Sequence, residues 1–417
     1  MKVLFLPCVT SVPSHLIPLL ALNRMLKGKR IETAFLVSRV SRDYLRQMGI
    51  NVLSIDHENF RTEMQAIGEF SPDVIVDDMS LTTMFTTLLS RTPRVTIQRT
   101  GIFRGYRARN PKHVHSVEFD IRQIPDVTYL GIPQPSLLSD LFDADVKIIP
   151  AVRSVEALPE ALRDDPTYHY CGPLLSDDFL IEGSGESGSG KGASCQPAHV
   201  DQFKDFRSLG DFFQANRGGK VVYVTFGMIA HAAEAVREAI RWLLESSVAV
   251  VTSIEDDRLG KEHEGKYYYA RYLPMHYVCS NVNLVVHQCG SAAYHYPILH
   301  NVPAITVGTQ RYDRDDVAMR LMEKGVSEHV AGPEENGGFL EEFKSAVRRN
   351  LEPDGQALRE KQARVRELNE EIEQTRRVFD FEAVLRQAAA LKKRRSPAPR
   401  LASSQNRSVL NRHQTRP

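Results

Sequence analysis

Five cysteines in 417 residues are too few and too scattered to staple a fold. Cys8, Cys171, Cys195, Cys279 and Cys289 are odd in number, widely spaced and without a C-x-x-C pair. That excludes a disulfide framework or a sequence-encoded zinc site and fits an intracellular setting. No apolar run reaches the about eighteen residues of a membrane-crossing helix. The start lacks a basic stretch, apolar core and cleavage site, so a cytoplasmic protein without integral membrane association is expected. Acid is missing from 392–417, which holds eight Lys and Arg; the remainder carries −7 although the whole chain carries +1. That polar, Pro- and Ser-containing tail is predicted to be disordered, and nucleic acid is not an expected partner.

One motif lacks its essential letter. Gly185 to Lys191 fits G-x-x-x-x-G-K, but Gly192 replaces the Ser or Thr. With no apolar strand before it and no helix after it, the phosphate cradle has no scaffold. The surrounding Gly/Ser-rich tract, 182–194, cannot pack a core and reads as a flexible insertion. His113 with His115, and Asp313 with Asp315 and Asp316, lack the partners of a closed metal site, so no metal is expected.

What is present is βα alternation in both halves of a chain too long for one core. Apolar runs predict strands near 2–7, 31–37, 73–77 and 94–98, with helices near 15–27, 41–48, 58–69 and 80–90. The second half repeats this with strands near 220–226, 248–253, 283–287 and 303–307 and helices near 232–246, 291–300 and 315–324. Such alternation implies an α/β fold with parallel, doubly wound sheets.

The densest chemistry lies in 284–320. Asn283-Leu284-Val285-Val286 reads as a buried strand running into His287-Gln288-Cys289-Gly290, where Gly290 is expected to let backbone approach a ligand. A helix can follow over 292–299, restricted by Pro297, and then Asn301-Val302-Pro303 and Asp313-Arg314. A strand, a tight turn and a helix start can hold a diphosphate on backbone N–H groups. Near the N-terminus, Ser14-His15-Leu16-Ile17-Pro18-Leu19 enters a helix after the first strand. Ser71-Pro72-Asp73-Val74-Ile75-Val76-Asp77-Asp78 is a strand ending in acid. Histidine titrates near neutral pH and suits proton abstraction from a hydroxyl. A carboxylate on its far nitrogen fixes the tautomer and stabilises the imidazolium. Asp78 is the first candidate and Asp77 the second, the alternative role being to cap the helix starting near Ser80.

These segments together resemble the GT-B nucleotide-sugar-dependent glycosyltransferases, the UDP-glycosyltransferase and bacterial natural-product glycosyltransferase family. The resemblance implies two Rossmann-like domains facing a cleft. It assigns 1–170 to an acceptor-binding domain, 171–215 to a linker carrying the insertion, and 216–378 to a nucleotide-sugar domain. It makes 379–391 a helix crossing back to the first domain, leaving 392–417 as tail. His15 corresponds to the family's catalytic base. Donor contacts are implied at Gly227 and Met228 after the strand at 220–226, and at Tyr272 and Leu273 near the base. They are also implied at His287, Gln288, Gly290, Ser291 and Ala292 near the phosphates, and at Asp313 and Arg314 on the sugar. The usual diphosphate histidine is Gln288 here, the Ser or Thr after Gly227 is Met228, and the sugar-reading Gln is Arg314. Arg104 and Arg107, in a basic cluster with Arg99, Arg109, Lys112, His113 and His115, would line an acceptor pocket or form a solvated loop.

The implied reaction is inverting, metal-independent transfer from a UDP- or dTDP-sugar to a small-molecule acceptor, with no cofactor beyond that co-substrate. The rivals are a GT-B binding protein that has lost turnover, credible because of the replaced donor residues, and a nucleotide-sugar epimerase on the same fold.

Overall fold

The computed structural model describes residues 1–8, 14–38, 42, 45, 46, 48–55, 60–106, 138–175, 208–226, 234–270, 273–309, 314–352 and 355–392. The Gly/Ser-rich tract and the tail from 393 lie outside these residues, as does half of the helix expected near 41–48.

One sheet contains β1 (Lys2–Pro7), β2 (Glu32–Ser38), β3 (Val52–Ile55), β4 (Val74–Asp78), β5 (Arg94–Ile97), β6 (Val146–Ile149) and β7 (Tyr168–Tyr170). Its spatial order is β3-β2-β1-β4-β5-β6-β7. A second sheet contains β8 (Val221–Thr225), β9 (Ala249–Thr252), β10 (Tyr267–Tyr269), β11 (Leu284–His287), β12 (Ala304–Val307) and β13 (Glu328–Val330), ordered β10-β9-β8-β11-β12-β13. Neighbouring strands run parallel throughout. Parallel neighbours need crossovers, and the covering helices bury both sheet faces. That is why β4, β5, β8 and β11 are buried at every position.

Strand order reverses between β1 and β4 in one sheet and between β8 and β11 in the other. At such a reversal the chain leaves the strands toward opposite faces, which opens a crevice beyond their carboxyl ends. Register brings Pro7 opposite Asp78 and His287 opposite Thr225. The motifs read from the sequence therefore end at the two crevices.

The helix Phe381–Lys392 does not pack with the second sheet. Phe381, Val384, Leu385 and Ala388 join the core formed by β1, β4 and β5 and the helix Leu16–Met25. Lys29 pairs with Glu382 at 3.2 Å at the surface of this contact. A second apolar cluster joins Val152 and Val155, from the loop after β6, to Tyr294, Ile298, Val317, Leu321, Leu368 and Ile372. The chain crosses between the sheets near Gly172, whose φ is +71° and where a Cβ would lie 3.0 Å from Arg376 Cγ. Only glycine meets both demands.

Several elements depart from the sequence expectation. β3, β6, β7, β10 and β13 were not anticipated, and neither was the helix Phe339–Leu351. β7, β10 and β13 are three residues each, reading Tyr-His-Tyr, Tyr-Tyr-Tyr and Glu-His-Val. They lack the aliphatic run of a central strand, and each pairs with a single neighbour, β6, β9 and β12 respectively. The helix expected over 291–300 shortens to His295–Leu299, because 291–294 form a turn.

Candidate functional site

His15 precedes the helix Leu16–Met25 and makes no side-chain cap to it. Its Nδ1 lies 3.0 Å from Asp78 Oδ1, with the imidazole 16% exposed and the carboxylate fully buried. The contact is at ion-pair distance but off the line of a good hydrogen bond. Arg99 grips the same carboxylate as a fork, Nη1 donating to Oδ1 at 2.7 Å and Nη2 to Oδ2 at 2.8 Å. Burial raises the Asp78 pKa, but the charges of Arg99 and then His15 outweigh it and hold the carboxyl down to about 2. Asp78 is thus an ionised, immobile acceptor beside the ring.

Asp77 sits on the opposite face, as successive strand residues must. Arg94 donates to it from Nε and Nη2, both at 2.8 Å, and the Ser80 N–H approaches its Oδ2 at 3.4 Å. The two acids therefore have separate partners. Met79, immediately after Asp78, has a φ of +55°. A non-glycine residue there is locally strained, a feature common where a strand end must present a side chain.

At the second crevice the Gln288 amide donates to the Phe226 carbonyl, tying the end of β11 to the end of β8. Gln288 is buried, and its Oε1 has no partner among the described residues. His287 is buried too and accepts the Cys289 N–H on Nδ1 at 3.0 Å. Burial drives its pKa down to about 4, so the ring is neutral and carries its proton on Nε2. The left-handed turn falls on Cys289, with φ +55°, and not on Gly290. A Cβ at Gly290 would meet nothing nearer than Ala293 Cβ at 3.9 Å. The left-handed residue of this turn is thus Cys289, which packs into the apolar cluster, while Gly290 leaves open space where a side chain would stand.

The Ala293 and Tyr294 N–H groups bond back to Gly290 O at 2.9 and 3.4 Å. The Ser291 and Ala292 N–H groups stand outside those bonds, in an exposed and a half-buried residue. A five-residue helix with Pro297 inside it has little dipole to add, so any anion held here rests on these individual donors. Arg314 begins the helix Arg314–Glu323 and is half-buried, while Asp315 caps the chain by accepting the Thr309 N–H at 3.0 Å. Asp316 accepts the Tyr106 hydroxyl from the other domain.

The remaining sequence candidates divide as follows. Leu273 is buried with Tyr268 and Val278 in a core cluster, and Arg104 is exposed. Arg107, Gly227, Met228, Tyr272 and Asp313 lie outside the described residues. Sequence reasoning placed Arg99 among acceptor-lining cations and missed its fork on Asp78. The available signal was register: Asp78 pairs with Ile97, so Arg99 emerges just past it. Among the described residues no group of three or more His, Cys, Asp or Glu could hold a metal ion. No described helix is long and apolar enough to cross a membrane.

Two buried histidines set an acid limit on the fold. Burial, reinforced by Arg376, takes His295 down to about 3, and burial takes His287 to about 4, both from the 6.5 of a free ring. The unfolded chain gains protons below pH 6.5 that the folded chain refuses, so this stability is complete above 6.5 and drains as pH falls toward 4 and 3. Each ring contributes a slope of about 1.4 kcal/mol per pH unit in that window. His295→Phe should roughly halve the slope of urea midpoint against pH between 6.5 and 4. An unchanged slope would contradict the assignment.

The sequence matches no protein-family model and no curated protein. Among solved structures the chain is similar to the glycosyltransferase of kitacinnamycin, with a TM-score of 0.64 at 15% identity over 95% of this chain and 99% of that one. It is also similar to UGT71G1 of Medicago truncatula, solved with UDP-glucose, with a TM-score of 0.65 at 15% identity over 94% and 98% of the two chains. A third is the glycosyltransferase VinC in complex with dTDP, with a TM-score of 0.62 at 12% identity over 94% and 100%. Two parallel sheets matched over nearly the whole length of each give this chain the GT-B fold.

Proposed function

We propose that the protein is an inverting glycosyltransferase that moves a sugar from a UDP- or dTDP-sugar to a hydroxyl or amine of a small-molecule acceptor. The observation that carries this reading is the His15–Asp78 pair at the reversal of one sheet. The Phe226–Gln288 turn stands at the reversal of the other, and the Tyr106–Asp316 bond joins the two domains. The donor class is supported by the UDP-glucose and dTDP held by two of the similar structures.

With Nδ1 turned to Asp78, His15 offers Nε2 to the acceptor. It takes the acceptor proton as the acceptor oxygen or nitrogen bonds to the anomeric carbon. The bond from that carbon to the diphosphate breaks, and one displacement inverts the centre. Asp78, held ionised by Arg99, stabilises the imidazolium. The leaving charge meets the Ser291 and Ala292 N–H groups, with Arg314 toward the sugar. The reaction needs no metal on this reading, so turnover should be unchanged by EDTA; chelator-sensitive turnover restored by Mg²⁺ or Mn²⁺ would contradict it.

Binding tests the donor half. UDP or dTDP, with its sugar conjugates, should raise the melting temperature by mass action. Arg314→Ala should weaken that response by about tenfold in apparent affinity, the range of a lost charge-assisted hydrogen bond, and Gln288→Ala should weaken it as well, by freeing the turn that its amide ties to the Phe226 carbonyl. No stabilisation by either nucleotide would remove the donor assignment. A second reading, a nucleotide-sugar-binding protein without turnover, draws on the Gln288 amide being spent on Phe226 O. It predicts the same binding with no product.

A further inference from the structure

Glu156 is a carboxylate buried at the domain boundary, 2% exposed, and the catalytic reading leaves it without a task. Its Oε1 accepts the Tyr294 hydroxyl at 2.9 Å. Its Oε2 accepts both the Thr100 N–H at 2.7 Å and the Thr100 hydroxyl at 3.0 Å. Tyr294 closes the turn that starts at Gly290. Thr100 follows Arg99, whose fork fixes Asp78 beside His15. A single carboxylate thus touches the last residue of the candidate donor turn and the backbone next to the arginine that holds the base pair.

Docking of the domains does not require this charge. Val155 O already accepts Arg320 Nη1 at 3.0 Å, Ser154 N–H reaches Glu371 Oε1 at 3.3 Å, and an apolar cluster fills the same boundary. A buried carboxylate costs desolvation that apolar packing would avoid, so its retention asks for a geometric reason. The Tyr170 hydroxyl holds the Glu156 carbonyl at 2.7 Å, so the side chain hangs from a fixed backbone.

We infer that Glu156 is a positioning residue that couples the turn Gly290–Tyr294 to the His15–Asp78 pair across the domain boundary. The inference rests on the transfer reading. A nucleotide that orders the turn fixes Tyr294, and through Glu156 it fixes Thr100 and the Arg99 fork. The base is then aligned when donor is present and looser when it is absent, a contact chain with an identifiable member at every step.

Hydrogen exchange on the full chain, with UDP and with dTDP, reads the coupling without turnover. Calorimetry reads nucleotide affinity on the same samples. In the wild type, nucleotide should slow exchange in peptides covering 288–294 and also in those covering 98–103. Tyr294→Phe should keep the first protection and nucleotide affinity while losing the second, and should lower kcat about tenfold with donor KM little changed. Glu156→Gln can still accept from Thr100 and donate to the Tyr294 oxygen, so it should restore kcat to within about threefold of wild type. Glu156→Ala should lose both the remote protection and the rate. Protection that stays confined to 288–294 in the wild type would overturn the coupling while leaving the donor site standing. So would equal remote protection in Tyr294→Phe. Absence of nucleotide binding would instead overturn the transfer reading on which the coupling rests.

Discussion

His15→Ala should lower kcat/KM by about 10³-fold while nucleotide affinity stays within about threefold of wild type. The imidazole lies beside a buried carboxylate at the reversal of the first sheet, and the nucleotide is assigned to the second. Proton removal and donor binding are therefore separable. The acceptor hydroxyl is a poor nucleophile until its proton leaves, which is why one side chain carries a barrier term of about 4 kcal/mol. Steady-state rates with saturating donor, beside calorimetric titration of the nucleotide, make the comparison. A variant within about tenfold of wild-type rate would show that the base lies elsewhere.

Arg99→Met should be the most damaging substitution to stability at this site. Asp78 is fully buried, and Arg99 supplies two hydrogen bonds and the charge that neutralises it. Removing one partner of a buried ion pair leaves an uncompensated charge, at a cost of about 3–5 kcal/mol, read as a lower urea midpoint. The same loss frees the Asp78 carboxylate to move away from His15, so kcat should fall with it. Arg99→Lys keeps the charge but loses the fork, and should recover part of the stability. The pH signature has a definite sign. Asp78 titrates near 2 in the folded chain against 3.8 when free. Its contribution of about 2 kcal/mol is complete above the free value and is lost as pH falls through the folded one. In Arg99→Met this step should leave the 2–4 window, because the charge that does most to lower the Asp78 pKa against its burial is gone. An urea midpoint matching wild type would contradict the ion-pair account.

Central strands were readable because β1, β4, β8 and β11 are buried on both faces and so spell continuous apolar runs. Their carboxyl ends carried the readable chemistry, since His15 and Asp78 follow β1 and end β4, and His287 ends β11. Edge strands were not readable, because Tyr168–Tyr170 and Glu328–Val330 owe their conformation to a neighbour and not to local pattern. The helix Phe381–Lys392 was legible as an apolar face, and its docking site is the first domain's core. The Arg99 fork and the Glu156 contacts join residues 21, 56 and 138 positions apart. No periodicity encodes such pairs; they exist only after strands have been aligned. The turn at Cys289 misled for a different reason. Glycine is the usual bearer of positive φ, and here a buried cysteine of the apolar cluster takes it instead.

The most direct measurement is release of nucleoside diphosphate from a panel of UDP- and dTDP-sugars, with and without a mixture of phenolic, alcoholic and amine acceptors. Wild type and His15→Ala would be compared at matched nucleotide occupancy. The account predicts acceptor-dependent release from one nucleotide series by the wild type, and a loss of about 10³-fold in the variant. Nucleotide bound tightly by both proteins, with release from neither or at equal rates from both, would contradict it.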